Sequence, residues 1–110
     1  MFRLVAVLLL AGCATAPAHL ADAKRSVDSR MDYVYYTGWL KPAWVDENQG
    51  NCAAFSLAYA TELREMGYRA PLATTCRLPD GTGHAVLDVD GWRLDNRYGY
   101  VMRTIESDCR

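Results

Sequence analysis

The longest run of periodic apolar residues lies in the middle of the chain and predicts a helix over residues 52–66. The apolar residues recur at spacings of three and four, which places them on one helix face: Cys52, Phe55, Tyr59, Leu63 and Met66. Asn51 is a favourable N-cap, and Gly67 supplies the C-terminal stop. Cys52 is therefore expected in the first turn of a helix, where unpaired backbone N–H groups favour a thiolate and lower its pKa.

After this helix the pattern changes to short apolar segments separated by turn residues. Four segments are predicted as strands, at residues 70–78, 84–89, 92–96 and 98–105. Residues 79–83 form the first turn, because they contain a proline, an aspartate and two glycines. The C-terminal half of the chain is therefore predicted to form consecutive strands joined by tight turns.

Asp90-Gly91 is a two-residue hairpin signal between the second and third of these strands. The register that it sets places Val89 opposite Trp92. Because side chains alternate along each strand, His84 and Asp95 fall on the same face as diagonal neighbours. The imidazole and the carboxylate can then form a hydrogen bond, whereas a slip of one residue would separate them.

Composition restricts the classes of function. The chain has 110 residues, which is room for one domain, and 51% of them are hydrophobic, which is typical of a folded protein. There are 12 Lys and Arg against 13 Asp and Glu, so the formal net charge is −1. A nucleic-acid partner is therefore not expected, nor is a polybasic membrane-binding surface.

The N-terminal residues have the pattern of an export signal. Arg3 precedes an unbroken apolar run, Leu4 to Ala11, which is far shorter than the roughly 20 residues that a bilayer-spanning helix needs. The run ends in Leu10-Ala11-Gly12-Cys13, which resembles the lipobox of bacterial lipoproteins. We expect a lipid on Cys13; an ordinary export signal followed by a chance cysteine is the alternative. Ala14 is not the aspartate that retains such lipoproteins in the inner membrane, which favours the outer membrane.

These features divide the chain into three predicted segments: a signal peptide at residues 1–12, a lipid anchor and tether at residues 13–32, and a working domain at residues 33–110. Residues 14–30 are small and polar without a sustained apolar face, which is typical of a tether that can become helical near its end. His19 falls in this segment and is interpreted as a solvated linker residue.

Three residues in the predicted elements are the parts of a cysteine nucleophile site: Cys52 at a helix start, His84 opening a strand and Asp95 on the next strand. In this interpretation Cys52 attacks an acyl carbon and His84 transfers the proton. Asp95 accepts a hydrogen bond from the His84 Nδ1–H, and backbone N–H groups at the helix start, including that of Cys52, hold the oxyanion. The alternative is a structural Cys52 and a His84 that bonds a backbone carbonyl.

The same residues resemble the bacterial transglutaminase-like cysteine proteinases, which include the LapG-type periplasmic proteases. Four segments carry the resemblance: Trp39-Leu40-Lys41-Pro42, Gly50-Asn51-Cys52-Ala53-Ala54-Phe55, His84-Ala85-Val86-Leu87-Asp88-Val89 and Leu94-Asp95-Asn96. In that order they look like the family's W-x-x-P, nucleophile, H-x-V-L and L-D-N motifs. The resemblance implies a triad of Cys52, His84 and Asp95 on a small α+β, papain-like domain, with the nucleophile helix packed on an antiparallel sheet.

The chain departs from this family next to the nucleophile. The acidic residues that take part in calcium binding in LapG-type proteases are here Asn51, Ala53 and Ala54. Without those carboxylates a calcium ion lacks its preferred oxygen ligands, so the metal requirement is not transferred to this chain. Neither a metal nor another cofactor is expected.

Residues upstream of the nucleophile are further candidates for contact with a substrate. Asn48 and Gln49 could donate to the oxyanion, and the alternative is that both are ordinary loop residues. Trp39, with nearby Trp44, Tyr35 and Tyr36, could line a groove beside the nucleophile or belong to the core.

Cys76 and Cys109 remain once Cys13 is assigned to lipidation and Cys52 to catalysis. In an oxidising periplasm they are the natural disulfide pair, and two unrelated buried thiols are the alternative. The bond would tie the C-terminal tail to the strand that follows the helix.

Together these features predict a lipid-anchored, periplasm-facing cysteine peptidase of the bacterial cell envelope, with a peptide or protein substrate and a membrane contact through the lipid on Cys13. One alternative is an amidase acting on peptidoglycan peptides, as in NlpC-type hydrolases, although the Leu94-Asp95-Asn96 ending argues against it. The other is a non-catalytic lipoprotein that binds a peptide or protein partner on the same fold, because the family's acidic residues are replaced.

Overall fold

The computed structural model of the chain describes residues 15–35 and 49–110. These residues form two helices, a pair of short parallel strands and a four-stranded antiparallel sheet, which is an α+β arrangement. The elements in chain order are α1 (Ala18–Arg30), β1 (Asp32–Tyr33), β2 (Gln49–Gly50), α2 (Cys52–Glu65), β3 (Thr74–Arg77), β4 (Gly83–Val89), β5 (Trp92–Leu94), β6 (Met102–Arg103) and a 3-10 turn (Thr104–Glu106). Neither helix in this described part combines the length and the apolar content that a bilayer crossing needs.

Helix α2 begins at Cys52, as predicted, because Asn51 caps it. The Asn51 side-chain oxygen accepts a hydrogen bond from the Ala54 N–H at 3.1 Å, which satisfies one of the N–H groups that lack an acceptor inside the helix. The helix ends at Glu65, and Gly67 then takes a φ of +91°, a conformation that glycine adopts without strain. The start of this helix is therefore fixed by a side-chain cap.

The hairpin of β4 and β5 has the predicted register. Val89 lies opposite Trp92, and the loop residues Asp90 and Gly91 have φ values of +51° and +85°. Positive φ at both loop residues matches the right-handed twist of the flanking strands. Strand β5 is shorter than predicted because Asp95 turns the chain: its carboxylate accepts a hydrogen bond from the Arg97 N–H at 2.9 Å.

The outer strands are also shorter than predicted. Strand β3 covers only part of residues 70–78, since Pro71 near the start of that segment has no N–H to donate to a sheet. Strand β6 covers two residues of the segment 98–105, and the chain then enters the 3-10 turn. The sheet order β3-β4-β5-β6 places the hairpin in the middle of the sheet.

The structure differs from the predicted tether at residues 18–30, which form α1. Leu20, Ala23 and Val27 are buried on one face of this helix and belong to the main core, together with residues of α2. Their spacing of three and four is visible in the sequence, but alanine and lysine residues complete the face, so the apolar signal is weak. Within the described residues, the main core therefore includes α1 as well as elements that follow residue 33.

Two polar side chains of α1 also make contacts that a tether would lack. Lys24 is buried, and its Nζ donates to Asp28 Oδ2 at 2.7 Å and to the Tyr59 hydroxyl at 3.1 Å, which joins the two helices. His19, expected as a solvated linker residue, stacks on the Tyr68 ring with the centroids 4.1 Å apart. Helix α1 is thus attached to the rest of the fold through apolar and polar contacts.

The two faces of the sheet carry different layers. Leu87, Val89 and Leu94 belong to the main core with the helices, whereas Val86 packs with Cys76 and Cys109. These two cysteines lie at disulfide distance, with 2.04 Å between the sulfurs and 5.4 Å between the Cα atoms, so the predicted pair is confirmed. Closing a loop of this sequence separation of 33 contributes about 3–4 kcal/mol in the chain-entropy model.

Candidate active site

Cys52 occupies the first turn of α2 and is a free, partly exposed cysteine. Its Sγ accepts a hydrogen bond from the Ala85 N–H of β4 at 3.5 Å. The Cys52 side chain also interacts with the side chain of His84, the residue before Ala85. The thiol is therefore held where the start of the helix meets the start of the strand.

His84 lies near the start of β4, with its side chain only 7% exposed. Its Nε2 is 2.8 Å from Asp95 Oδ1, so the predicted contact between the two side chains is present. The nitrogen involved differs from the prediction, in which Nδ1 faces the carboxylate. With Nε2 on Asp95, Nδ1 is the ring nitrogen that is left for Cys52.

The surroundings of Cys52 favour the thiolate. Burial by itself raises the pKa of the thiol, but the hydrogen bond with the His84 side chain and those from the Ala85 and Ala53 N–H groups lower it by more. The charge of His84 acts in the same direction. The pKa of Cys52 therefore lies below the ordinary value of a cysteine thiol.

His84 and Asp95 shift in opposite directions. Burial lowers the pKa of His84, yet the hydrogen bonds with Asp95 and Cys52 and their negative charges raise it to about 9. Burial raises the pKa of Asp95, but its hydrogen bonds with His84 and Arg97 lower it to about 2. At neutral pH the arrangement therefore favours an imidazolium beside the Asp95 carboxylate, and it shifts Cys52 toward the thiolate.

A cleft of about 650 Å³ opens beside these side chains. Cys52 and His84 contribute to its lining, together with Tyr33 and Tyr35, which are 50% and 73% exposed. This volume is in the range of clefts that hold a small molecule, so a group of that size can reach the sulfur.

Asn96 lines the same cleft and carries an acceptor without a partner. Its side-chain oxygen is buried and has no hydrogen-bond partner among the residues that the structure describes. A buried acceptor that is left unpaired costs about 1–3 kcal/mol. Such a group is typical of a position that serves function rather than stability.

The structure brings Cys52, His84 and Asp95 together, but it places the weaker candidates elsewhere or leaves them out. Gln49 is an exposed residue of β2, and it is not among the described residues that line the cleft. Three candidates lie outside the described residues, as does the predicted signal peptide: Cys13, Trp39 and Asn48. The roles assigned to all four residues stay predictions.

Arg97 is not singled out by the sequence pattern, yet its guanidinium donates two hydrogen bonds to Asp95 Oδ2, at 3.1 and 2.8 Å. The sequence offers one signal for this contact: Arg97 is a cation that follows Asp95, near the end of a predicted strand, by two residues. That spacing becomes informative only when the chain turns at Asp95, because the turn brings both the backbone and the side chain of Arg97 back to the carboxylate.

The residues next to the nucleophile form no cation site in this part of the chain. Among residues 15–35 and 49–110, no group of three or more His, Cys, Asp and Glu side chains comes together as ligands for a metal ion. The side-chain oxygen of Asn51, which stands where the resembling family has an acid, serves as the helix cap. Independence from calcium stays a prediction.

The chain matches no protein-family model, no curated protein and no solved structure. The resemblance to the transglutaminase-like cysteine proteinases therefore rests on the four segments quoted above, one of which, residues 39–42, lies outside the described residues. Support for a function comes from the geometry of Cys52, His84 and Asp95.

Proposed function

We propose that the chain is a cysteine peptidase of the bacterial cell envelope, with Cys52 as nucleophile, His84 as proton carrier and Asp95 as the acceptor that orients His84. The observation that carries the proposal is the arrangement of three side chains at the wall of a cleft: His84 Nε2 lies 2.8 Å from Asp95 Oδ1, and Cys52, whose Sγ is held by the N–H of the residue after His84, interacts with the His84 side chain. The position of the thiol at a helix start, against a strand whose second residue is the histidine, supports a papain-like or transglutaminase-like fold.

In the proposed reaction the Cys52 thiolate adds to the carbonyl carbon of an amide bond. The Cys52 N–H donates to the oxyanion, since N–H groups of a first helical turn have no acceptor inside the helix. His84 then gives its Nδ1 proton to the leaving amine as the C–N bond breaks, which leaves a thioester on Cys52. Neutral His84 next takes a proton from water, and the hydroxide attacks the thioester, releases the acid and restores the thiolate and the imidazolium.

Asn96 lines the cleft, and a rotation that brings its unpaired side-chain oxygen to the cleft surface would let it accept a hydrogen bond from a peptide N–H of the substrate. The exposed rings of Tyr33 and Tyr35 provide apolar surface for the side chains of such a substrate.

The proposed location is the periplasmic side of the outer membrane, with the protein attached through a lipid on Cys13. The apolar run followed by Leu10-Ala11-Gly12-Cys13 supports this location. The Cys76–Cys109 pair supports it independently, because disulfides persist in oxidising compartments. Mass spectrometry of protein isolated from bacterial envelopes tests it: we expect an N-terminal, lipidated Cys13, and residues 1–12 still attached to the chain contradict it.

Alkylation of Cys52 tests the chemistry without knowledge of the substrate. The full chain is treated with iodoacetamide from about pH 5 to about pH 9, and modification of the peptide that contains Cys52 is followed by mass spectrometry. We expect the folded chain at neutral pH to react at least about tenfold faster than the urea-unfolded chain, because one pKa unit changes the thiolate fraction about tenfold. Equal rates would favour a non-catalytic protein that binds a peptide or protein partner.

Activity is then tested with protein substrates and with peptidoglycan-derived peptides, using Cys52→Ala as the matched inactive variant. Cleavage of protein substrates by the wild type alone supports the peptidase. Cleavage confined to the peptidoglycan peptides would support the amidase alternative. A chelator is added in parallel, and loss of activity on chelation would contradict the expectation that no metal is needed.

A further inference from the structure

The carboxylate of Asp95 is fixed on both of its oxygens. Oδ1 accepts hydrogen bonds from His84 Nε2 at 2.8 Å and from the Arg97 backbone N–H at 2.9 Å. Oδ2 accepts from Arg97 Nε at 3.1 Å and from Arg97 Nη2 at 2.8 Å. Asp95 is only 1% exposed, so Arg97 supplies three of the four contacts that orient the buried carboxylate toward His84.

Arg97 has a second acidic partner, Asp108, in the C-terminal tail. Arg97 Nη2 donates to Asp108 Oδ1 at 2.9 Å. The next residue, Cys109, is joined to Cys76 of β3. The guanidinium therefore lies between the carboxylate of the candidate triad and a tail that the disulfide holds on the sheet.

Another arginine, Arg93, anchors the tail on either side of Asp108. Its Nη1 donates to Ser107 Oγ at 2.9 Å and to the Cys109 carbonyl oxygen at 2.6 Å, while its Nε and Nη2 bind the two oxygens of Asp88. Both Ser107 and Cys109 are buried. The backbone of Asp108 is therefore set by the fold, although its side chain is 47% exposed.

We infer that Arg97 is a positioning residue for Asp95 and His84, and that the tail held by the Cys76–Cys109 bond keeps Arg97 in place through Asp108. The inference rests on the proposed function, and it adds a residue and a structural link to the three side chains of the triad. Its physical basis is a series of contacts that runs without interruption from the disulfide to the nucleophile: Cys109, Asp108, Arg97, Asp95, His84 and Cys52.

Loss of the Arg97 side chain leaves Asp95 Oδ2 buried without those two donors. The carboxylate is then free to rotate toward other donors, and His84 loses an acceptor held in a fixed place. The imidazolium becomes less favourable, and so does the thiolate that it stabilises. The Cys52 thiolate and the His84 imidazolium therefore coexist over a narrower pH range. The lower limit of that range moves up because the pKa of Cys52 rises, and the upper limit moves down because the pKa of His84 falls.

The other titratable groups near this series keep one charge state in the range tested. Tyr33 interacts electrostatically with Cys52, and Tyr59 and Arg93 interact electrostatically with Asp95. Burial raises the pKa of both tyrosines, so they stay neutral, and Arg93 stays cationic in its pair with Asp88. A change in the pH dependence of Cys52 alkylation between about pH 5 and about pH 9 is therefore attributed to the titration of Cys52 and His84.

The test measures the rate of Cys52 alkylation in the full chain as a function of pH. Mass spectrometry follows modification of the peptide that contains Cys52, and circular dichroism shows whether each variant is folded. We expect Arg97→Met to raise the apparent pKa of Cys52 by about one unit, which lowers the rate below that pKa about tenfold. Arg97→Lys should recover part of the shift, because an ammonium keeps the charge but not the planar fork of donors. Asp108→Ala, at an exposed side chain, should shift the profile in the same direction by less.

Three further variants separate positioning from stability and test the link to the tail. Arg30→Met removes a partly exposed ion pair with Glu62 between the helices, and it should lower stability without moving the profile. The double variant Arg97→Met/Asp108→Ala should shift the profile no further than Arg97→Met, because both changes break the same link. Replacing both Cys76 and Cys109 by alanine should shift the pH profile of Cys52 alkylation as Asp108→Ala does.

Each outcome bears on a different part of the inference. A folded Arg97→Met with the wild-type profile overturns the role of Arg97, and if that variant does not fold, a folded Arg97→Gln with the wild-type profile does so. If Arg97→Met shifts the pH profile of Cys52 alkylation and Asp108→Ala does not, the link between Arg97 and the tail is overturned, while the role of Arg97 stands. A wild-type thiol with an ordinary pKa instead contradicts the proposed function itself, and the inference falls with it.

Discussion

His84 Nε2 and Asp95 Oδ1 lie 2.8 Å apart, although His84 stands near the start of β4 and Asp95 follows the end of β5. Two local features bring them together. The two-residue loop at Asp90-Gly91 sets the register of the strands, and the turn at Asp95 then directs its carboxylate back toward β4. The contact therefore depends on the length of the hairpin loop.

Asp95→Asn should slow the alkylation of Cys52 at neutral pH about tenfold or more, as expected for a shift of one pKa unit or more. An amide has one acceptor oxygen, whereas the Asp95 carboxylate accepts from His84 and the Arg97 N–H on one oxygen and from the Arg97 side chain on the other. Whichever way the amide turns, its NH₂ group faces donors. The measurement is the second-order rate of Cys52 modification.

Asp88→Asn is the matched control for this substitution. Asp88 lies on the same hairpin and accepts two hydrogen bonds from Arg93, but it makes no hydrogen bond with the candidate triad. Its replacement should reduce stability and slow the alkylation of Cys52 no more than Asp108→Ala does, because Asp88 acts on the site only through Arg93 and the tail that Arg93 anchors. Equal slowing in both variants would mean that loosening of the hairpin, rather than the orientation of His84, sets the rate.

The His84–Asp95 pair should make the stability of the fold depend on pH. The pKa of His84 is raised from 6.5 to about 9, so its contribution is complete below 6.5 and is lost as the pH rises through about 9. The pKa of Asp95 is lowered from 3.8 to about 2, so its contribution is complete above 3.8 and is lost as the pH falls through about 2. The stabilisation by the pair should therefore be greatest between these limits.

Urea unfolding of the wild type and of His84→Gln across this pH range checks the expectation. The difference in unfolding free energy should be largest between pH 3.8 and 6.5 and should shrink on both sides. A difference that stays constant from acid to alkaline pH would mean that His84 contributes through packing and not through its charge.

The elements that carry the candidate triad could be predicted from short stretches of sequence. Asn51 and Gly67 act on the backbone of their immediate neighbours, so the start and end of α2 can be predicted from a few residues. Asp90-Gly91 sets the hairpin register in the same way. The positions of Cys52 and His84 follow from these short segments.

Contacts between distant segments could not be predicted in this way. Helix α1 joins the core because Val27 and its neighbours meet α2, and a weak apolar face becomes informative only when that partner surface is known. Arg97 reaches Asp108 because the tail folds back onto the sheet, where the Cys76–Cys109 bond and Arg93 hold it. The choice of Nε2 over Nδ1 at His84 also depends on the positions of both partners, which lie on different elements.

Helix α1 should prove to be part of the folded unit. Leu20 is 1% exposed in the main core, so Leu20→Ala should lower the free energy of unfolding by about 2–5 kcal/mol. Leu72→Ala is the matched control, because Leu72 is 80% exposed and its truncation should cost less than about 0.5 kcal/mol. Urea unfolding followed by circular dichroism measures both. Equal stabilities of the two variants would restore the interpretation of residues 18–30 as a tether.

Asn96→Ala should separate stability from substrate binding. The Asn96 oxygen is a buried acceptor without a partner among the described residues, so its removal should leave the free energy of unfolding unchanged or raise it by up to about 1–3 kcal/mol. If that oxygen binds a substrate N–H, its loss should raise KM for a peptide substrate about tenfold, in keeping with a hydrogen bond of about 1 kcal/mol or somewhat more, and change kcat less.

Asn96→Asp serves as the comparison for this prediction, because it keeps an acceptor at the same place in the cleft and adds a charge beside Arg97. We expect Asn96→Asp to retain a KM near the wild-type value and to lower the free energy of unfolding. Asn96→Ala should instead raise KM without lowering the free energy of unfolding. Urea unfolding and steady-state hydrolysis of a peptide by the three proteins measure the two quantities. A destabilised Asn96→Ala with an unchanged KM would assign Asn96 to the packing of the turn after β5 and remove it from the substrate site.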